Sequence, residues 1–222
     1  MKIVVSWSSG KDSAWMLHVL RQQQPGAVHA LLTTTNEAFD RVAMHGVRRA
    51  LLGRAGLRCA PPAARRAASW PCSNEEYERR MGAEVRALEA EGFTHVAFGD
   101  LFLEDVRRYR EERLAGTGLT PLFPLWKTGS TADLAEAMVA GGLEARLTCL
   151  DPRVLDRGFA GRRFDRDFLR DLPPHVDPCG ERGEFHSFAY AGPMFATPIA
   201  VQTGPTVERD GFVFTDLEPA PA

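Results

Sequence analysis

Apolar residues fall along the chain in short runs separated by stretches in which they recur at helical spacing. Lys2 to Trp7 is a compact, β-rich apolar run that predicts a buried strand, and beyond it Ala14, Leu17 and Leu20 share one helical face. Ala27 to Thr35 predicts a second strand and Val47 to Leu57 a helix. A short third strand is expected over Leu57 to Pro61, after the Gly53 to Gly56 breaker region. Ser73 and Glu76 have capping-box spacing ahead of a helix reaching Glu91, and Gly92 separates that helix from the strand-like "THVAFGD". Glu104 to Leu114 predicts a further helix leading to "LTPLFPLW". Ser130 with Asp133 repeats the capping spacing before a helix that stops at Gly141 and Gly142, and Leu143 to Leu150 is one more strand.

Strands that alternate with helices pair in parallel, because a parallel pair needs a crossover connection. The pattern therefore predicts an α/β fold with a doubly wound, mostly parallel sheet over residues 1–128. Residues 129–222 are expected to form a smaller α+β C-terminal lobe that binds substrate. The texture changes after Asp151, where 151–183 are rich in Arg, Asp, Gly and Pro and close in "DPCGERGEFHSF". In the tail, Asp210-Gly211 between two β-like runs signals a hairpin.

Charge narrows the function classes. The chain has 222 residues with 27 basic against 29 acidic side chains, a net charge of -2. No global basic field of the kind that binds nucleic acid follows from that balance. The four cysteines, Cys59, Cys72, Cys149 and Cys179, form no C-x-x-C pair and no zinc spacing, which fits a reduced, cytoplasmic protein. No run approaches the roughly 18 uninterrupted apolar residues of a membrane span. A homo-oligomer is compatible with this composition.

Candidate chemistry begins at "VVSWSSGKDSAW", where an apolar strand runs into a polar turn and a helix. Unpaired amides and the positive end of the helix dipole make such a turn an anion site. Lys11 adds charge, the hydroxyls of Ser8, Ser9 and Ser13 can donate to phosphate, and Gly10 permits close backbone approach. Asp12 suits magnesium or a hydrogen-bond donor better than bare phosphate. The G-x-x-x-x-G-K-[ST] loop is not matched, since Val5 stands at its first glycine and Asp12 at its Ser/Thr.

The stretch instead resembles the PP-loop, S-G-G-K-D-S, of ATP pyrophosphatases, with Ser9 in place of the first glycine. Together with "RVAMHGVRRALL", "WPCSNEEYE", "AFGDLFLEDVRRYRE", "PLFPLW" and "CGERGEFHSFAYAGPMF", the chain resembles the diphthine–ammonia ligase family across nearly its whole length. The resemblance implies a HUP-like fold, ATP and Mg²⁺ as cofactors, ammonia as nitrogen donor, and an AMP-forming ligase that adenylates a carboxylate and amidates it. The acceptor stays open between diphthine and another small-molecule or protein-borne carboxylate. Residues 8 to 13 and His45 would hold ATP. Asp100 would contact ribose or, with Asp12, magnesium. Arg107 and Arg110, three apart on a helix, would neutralise phosphate or the substrate carboxylate. Glu181 and Glu184, near His186, would meet the substrate and take the proton of the attacking ammonia, with Lys11, Asp12, Glu181 and Glu184 as the catalytic set. Two other readings stand beside this one: a tRNA-thiolating enzyme, with Cys72 or Cys179 carrying sulfur, and a non-catalytic adenine-nucleotide-binding protein.

Overall fold

In the computed structural model, residues 1–36, 41–42, 48–58, 63–70 and 74–220 are described. Strand β1 (Ile3–Ser6) lies in the middle of a six-stranded sheet and pairs in parallel with β2 (Val28–Asn36) on one side and β5 (His95–Ala97) on the other. Beyond them, β4 (Ala63–Trp70) joins β2 and β6 (Thr120–Leu122) joins β5, again in parallel. The two-residue β3 (Arg41–Val42) adds an antiparallel pairing to the end of β2.

Strict alternation sends neighbouring β1 residues to opposite faces. Ile3, Val5 and Trp7 enter one core cluster with Leu17 of α1 (Lys11–Gln23) and Leu51 of α2 (Arg49–Arg58). Val4 enters another with Leu88 of α3 (Asn74–Ala90) and Leu114 of α4 (Glu104–Leu114). Both faces of the sheet are thus covered, and Ile3, Val4 and Val5 of β1 are all apolar because neither face is solvated.

A second, antiparallel sheet follows in the order β8-β7-β10-β9, formed by β7 (Glu144–Leu150), β8 (Phe185–Ala191), β9 (Val201–Arg209) and β10 (Phe212–Pro219). Helices α5 (Thr131–Ala140) and α6 (Arg166–Asp171) accompany it. Its inner residues, Leu147, Phe188 and Val213 among them, belong to the same apolar cluster as Ile3 and Leu17, so the α1 face of the first sheet and the second sheet share one core. The hairpin between β9 and β10 turns at Asp210 and Gly211, both at positive φ (52° and 80°), as the Asp-Gly pair requires. Ser130 caps α5 by accepting the Asp133 amide at 3.1 Å.

The third parallel strand departs from expectation. Helix α2 runs on through Arg58, and the strand comes later, at Ala63–Trp70, where "AARRAASW" has neither alternation nor β-branched residues. Pairing with Ala30 to Asn36 of β2 makes it a strand, a case of long-range register outweighing local preference. Helix α6 lies within 151–183, whose Arg-, Asp-, Gly- and Pro-rich texture carried no such signal. Asp165 caps α6 by accepting the Phe168 amide at 2.9 Å.

The joint between the two sheets is tight at the end of α5. A Cβ on Gly141 would stand 2.4 Å from Cη2 of Trp15 in α1 and 2.9 Å from the Ala137 carbonyl oxygen. Gly141→Ala is expected to destabilise the chain by about 1–3 kcal/mol, because indole and backbone must both move; the midpoint of urea unfolding measures it.

Candidate active site

The Trp7–Gly10 turn leaves β1 at its carboxyl end, where parallel sheets present ligand sites. Ser9 sits at φ 62°, a left-handed conformation at the place where the resembled loop has glycine. Its hydroxyl donates to the Ser8 carbonyl, and its own carbonyl accepts the Ala189 amide of β8 at 2.8 Å. The Ser8 hydroxyl accepts the Gly10 amide at 3.2 Å and lies 3.2 Å from the Ser13 hydroxyl, which donates to the Gly10 carbonyl at 3.0 Å. The first amides of a helix have no intrahelical acceptor. That of Lys11 is met by the Ser187 hydroxyl at 3.2 Å, and those of Asp12 and Ser13 end the helix beside Gly99, whose missing Cβ would lie 3.3 Å from the Ser13 nitrogen.

Lys11 points away from solvent. It is 2% exposed, donates to both Asp12 carboxylate oxygens (2.9 and 2.8 Å) and to the Cys179 carbonyl, and lies over the Phe164 and Phe185 rings at 5.6 and 5.4 Å. Burial alone would lower its pKa. The Asp12 carboxylate, with Cys179 and Glu181 adding to it, outweighs that, and the ammonium ends with a raised pKa.

The loop 177–184 is built from its own side chains. Asp177 accepts the Cys179 amide at 2.8 Å and the Thr131 hydroxyl at 2.8 Å. Gly180 and Gly183 both take positive φ (65° and 89°), and a Cβ on Gly180 would stand 2.9 Å from the Phe185 ring and carbonyl. The two glutamates have different surroundings. Glu184 is buried and accepts the Asp177 and Arg182 amides at 3.1 and 3.0 Å, so it braces the loop. Glu181 leaves the loop and accepts the Leu101 amide at 2.8 Å. Burial, reinforced by the Asp12 and Asp100 carboxylates, raises its pKa to about 7 against the partial relief given by the Leu101 amide.

These parts meet in one cavity of about 440 Å³. Ser8, Lys11, Asp12, Ser13, Asp100, Arg110, Glu181 and His186 line it, together with Leu32 and Thr34 of β2 and Tyr77, Met81 and Val85 of α3. Arg110 pairs with Asp100 (Nε to Oδ2, 3.0 Å) and lies 4.6 Å over the Phe98 ring. Arg107 is turned elsewhere: it pairs with Glu111 at 2.8 Å, covers the Phe123 and Trp126 rings, and is absent from the cavity wall. His45, Cys59, Cys72 and the Ser73 cap lie outside the described residues. Cys179 is 1% exposed, its thiol donates to the Thr131 carbonyl, and burial raises its pKa despite the nearby Lys11 ammonium.

Asp12, Asp100 and Glu181 offer hard oxygen donors suited to Mg²⁺. Among the described residues no group of three His, Cys, Asp or Glu side chains is arranged to hold a metal by itself. That donor set fits a Mg²⁺ that brings phosphate oxygens as its other ligands. The apolar α3 side of the cavity, with Tyr77 and Met81, escaped the reading of the sequence, where those residues look like ordinary helix core.

Residues 130–215 match the family model described as Diphthamide synthase C-terminal domain. The match is consistent with a diphthine–ammonia ligase-like family and suggests an enzyme of the diphthamide-synthesis type. It spans the Glu181 loop, β7 and β8, and does not include the Ser8–Ser13 turn, which resembles a PP-loop on separate grounds. No curated protein matches the chain. Among the described residues no helix is long and apolar enough to cross a membrane.

Two measurements probe this site in the ligand-free chain. Ser9→Gly relieves a left-handed side chain and is expected to raise the unfolding free energy by about 1 kcal/mol, read from the urea midpoint. The Glu181 shift has a definite sign. Between the ordinary carboxyl value of 4.5 and about 7 the folded chain keeps a proton that the unfolded chain has released. The contribution of Glu181 to stability is therefore full below that window and is lost as pH rises through it. Glu181→Gln should flatten this part of the stability–pH profile, and an unchanged profile would show that Glu181 is not the group responsible.

Proposed function

We propose that this chain is an ATP-dependent, AMP-forming ligase that activates a carboxylate and amidates it with ammonia, as the resemblance to diphthine–ammonia ligase implies. One observation carries the reading: the Ser8–Ser13 turn and Glu181, 168 or more residues downstream of it, face a single cavity at the carboxyl ends of β1 and β5. The α1 amides of Asp12 and Ser13 and the hydroxyls of Ser8 and Ser13 receive the phosphates, and the apolar wall of Leu32, Leu88 and Val96 receives the base.

An acceptor carboxylate oxygen attacks the α-phosphorus, the bond to the bridging oxygen breaks, and pyrophosphate leaves with that electron pair. The ammonia lone pair then forms the C–N bond, AMP leaves with the acyl C–O pair, and the Glu181 carboxylate takes the surplus proton from nitrogen. Asp12 and Asp100 would hold Mg²⁺, which when bound would supply the positive charge that the leaving pyrophosphate needs. The wall itself carries the carboxylates of Asp12, Asp100 and Glu181 against the cations of Lys11 and Arg110, too little positive charge for a bare triphosphate. Lys11 fastens the turn to the 179–181 backbone, and exchanging its Cys179 carbonyl for a phosphate oxygen brings its charge to the nucleotide. Glu184 acts by shaping the loop. The packed, high-pKa thiol of Cys179 supports amide formation over sulfur transfer. ATP and free ammonium place the activity in the cytoplasm.

Incubating the chain with ATP, Mg²⁺, ammonium and a pool of small carboxylic acids should release AMP and pyrophosphate in equal amounts and yield an amide detectable by mass. Glu181→Gln should keep ATP binding and lose amide formation by about 100-fold or more. ADP as the product, sulfur entering tRNA, or a Glu181→Gln variant as active as its parent would each refute the assignment.

A further inference from the structure

A second cavity, of about 490 Å³, lies between α3 and α4. Tyr77, Met81, Val85, Phe98, Arg110 and Leu114 line both it and the first cavity, so the two adjoin along these side chains. We propose that this second cavity is the acceptor site and that it takes a small monocarboxylic acid on an apolar body, with the carboxylate at Arg110. The inference rests on the ligase reading, because it supplies the carboxylate that the reading requires.

Three features lead there. Volume comes first: the 440 Å³ cavity that holds the phosphate turn is of the size one nucleotide fills, so the acceptor needs adjoining space. Arg110 stands where the cavities meet. Asp100 engages its Nε and one Nη2 proton, and Phe98 backs its face, which fixes the guanidinium while its other N–H groups remain for a carboxylate. The outer rim sets Arg86 and Arg113 against Glu78 and Glu89, so it carries no net charge; Arg113 pairs with Glu78, and Glu89 accepts the Gly118 amide. A second anionic group on the ligand meets no net positive charge there, whereas Met81, Val85 and Leu114 offer apolar surface to the body of the acid.

The test uses the full chain, the non-cleavable analogue α,β-methylene ATP, and 3-phenylpropionate as probe, with binding followed by calorimetry. With the analogue bound, 3-phenylpropionate should bind at least about tenfold more tightly than 3-phenylpropionamide or succinate. Gly82 lines the second cavity and not the first, and a Cβ there meets only Arg86 Nη1, at 3.5 Å. Gly82→Leu should therefore weaken the probe at least about tenfold while the analogue's affinity stays within about twofold, its fold being checked by circular dichroism. Arg110→Gln should erase the preference for the acid over its amide. Absent or equal binding of the three probes, or a Gly82→Leu variant that weakens probe and analogue alike, overturns the acceptor assignment. If the analogue itself fails to bind the parent chain, it is the ligase reading that falls.

Discussion

The structure turns on one buried charge. Lys11 is 2% exposed, and an ammonium out of water survives only where opposite charge and hydrogen-bond acceptors surround it. Asp12, the Cys179 carbonyl and two ring faces provide that surrounding. These partners come from α1 itself, from the 177–184 loop and from the second sheet, so the charge can be met only when all three are assembled. Stranding it by removing a partner costs about 3–5 kcal/mol, comparable to a large part of a domain's net stability. The same residue that gives the turn its likeness to a PP-loop thus also fastens it to the 177–184 loop.

From that fastening follows the division of labour between the glutamates. A loop held at Cys179 by Lys11 and at Asp177 by Thr131 has little freedom left between those points. Glu184 uses both carboxylate oxygens on backbone amides inside the loop and is absent from the cavity wall. Glu181, two residues after the Lys11 contact, projects into the cavity with one amide partner and two carboxylates nearby. A carboxyl so placed holds its proton to about pH 7.

Much of the first sheet was legible in the sequence because its signals are local. The continuous apolar run of β1, the periodic face of α1 and the caps of α5 each act within a few residues, and the Asp-Gly hairpin needs only its own backbone. Of the residues singled out in the sequence, Ser8, Lys11, Asp12, Ser13, Asp100, Arg110, Glu181 and His186 line one cavity. What stayed hidden depends on distant partners. Strand β4 exists through its register with β2, Arg107 is drawn to Phe123 and Trp126 instead of the cavity, and Glu184 differs from Glu181 only in which amides it meets. A spacing of three on a helix places two arginines on one face, yet a guanidinium on a long stem follows the aromatic rings that the tertiary fold brings near.

The two faces of the first sheet also explain which way the site opens. The second sheet joins the α1 face, where Ile3, Val5 and Leu17 share a core with Leu147 and Phe188, and the Ala189–Ser9 hydrogen bond seals β8 against the turn. That side is closed by packing that cannot part without exposing the larger core. The opposite face is covered by a smaller cluster around Val4, Leu88 and Leu114, and there the wall of the crevice is formed by α3 and α4, which belong to neither the turn nor the loop. Fusing the C-terminal lobe to one face therefore leaves the crevice at the strand ends facing the other. Access to the crevice therefore runs along α3 and α4, while Lys11 and the 177–184 loop sit against the side that packing closes.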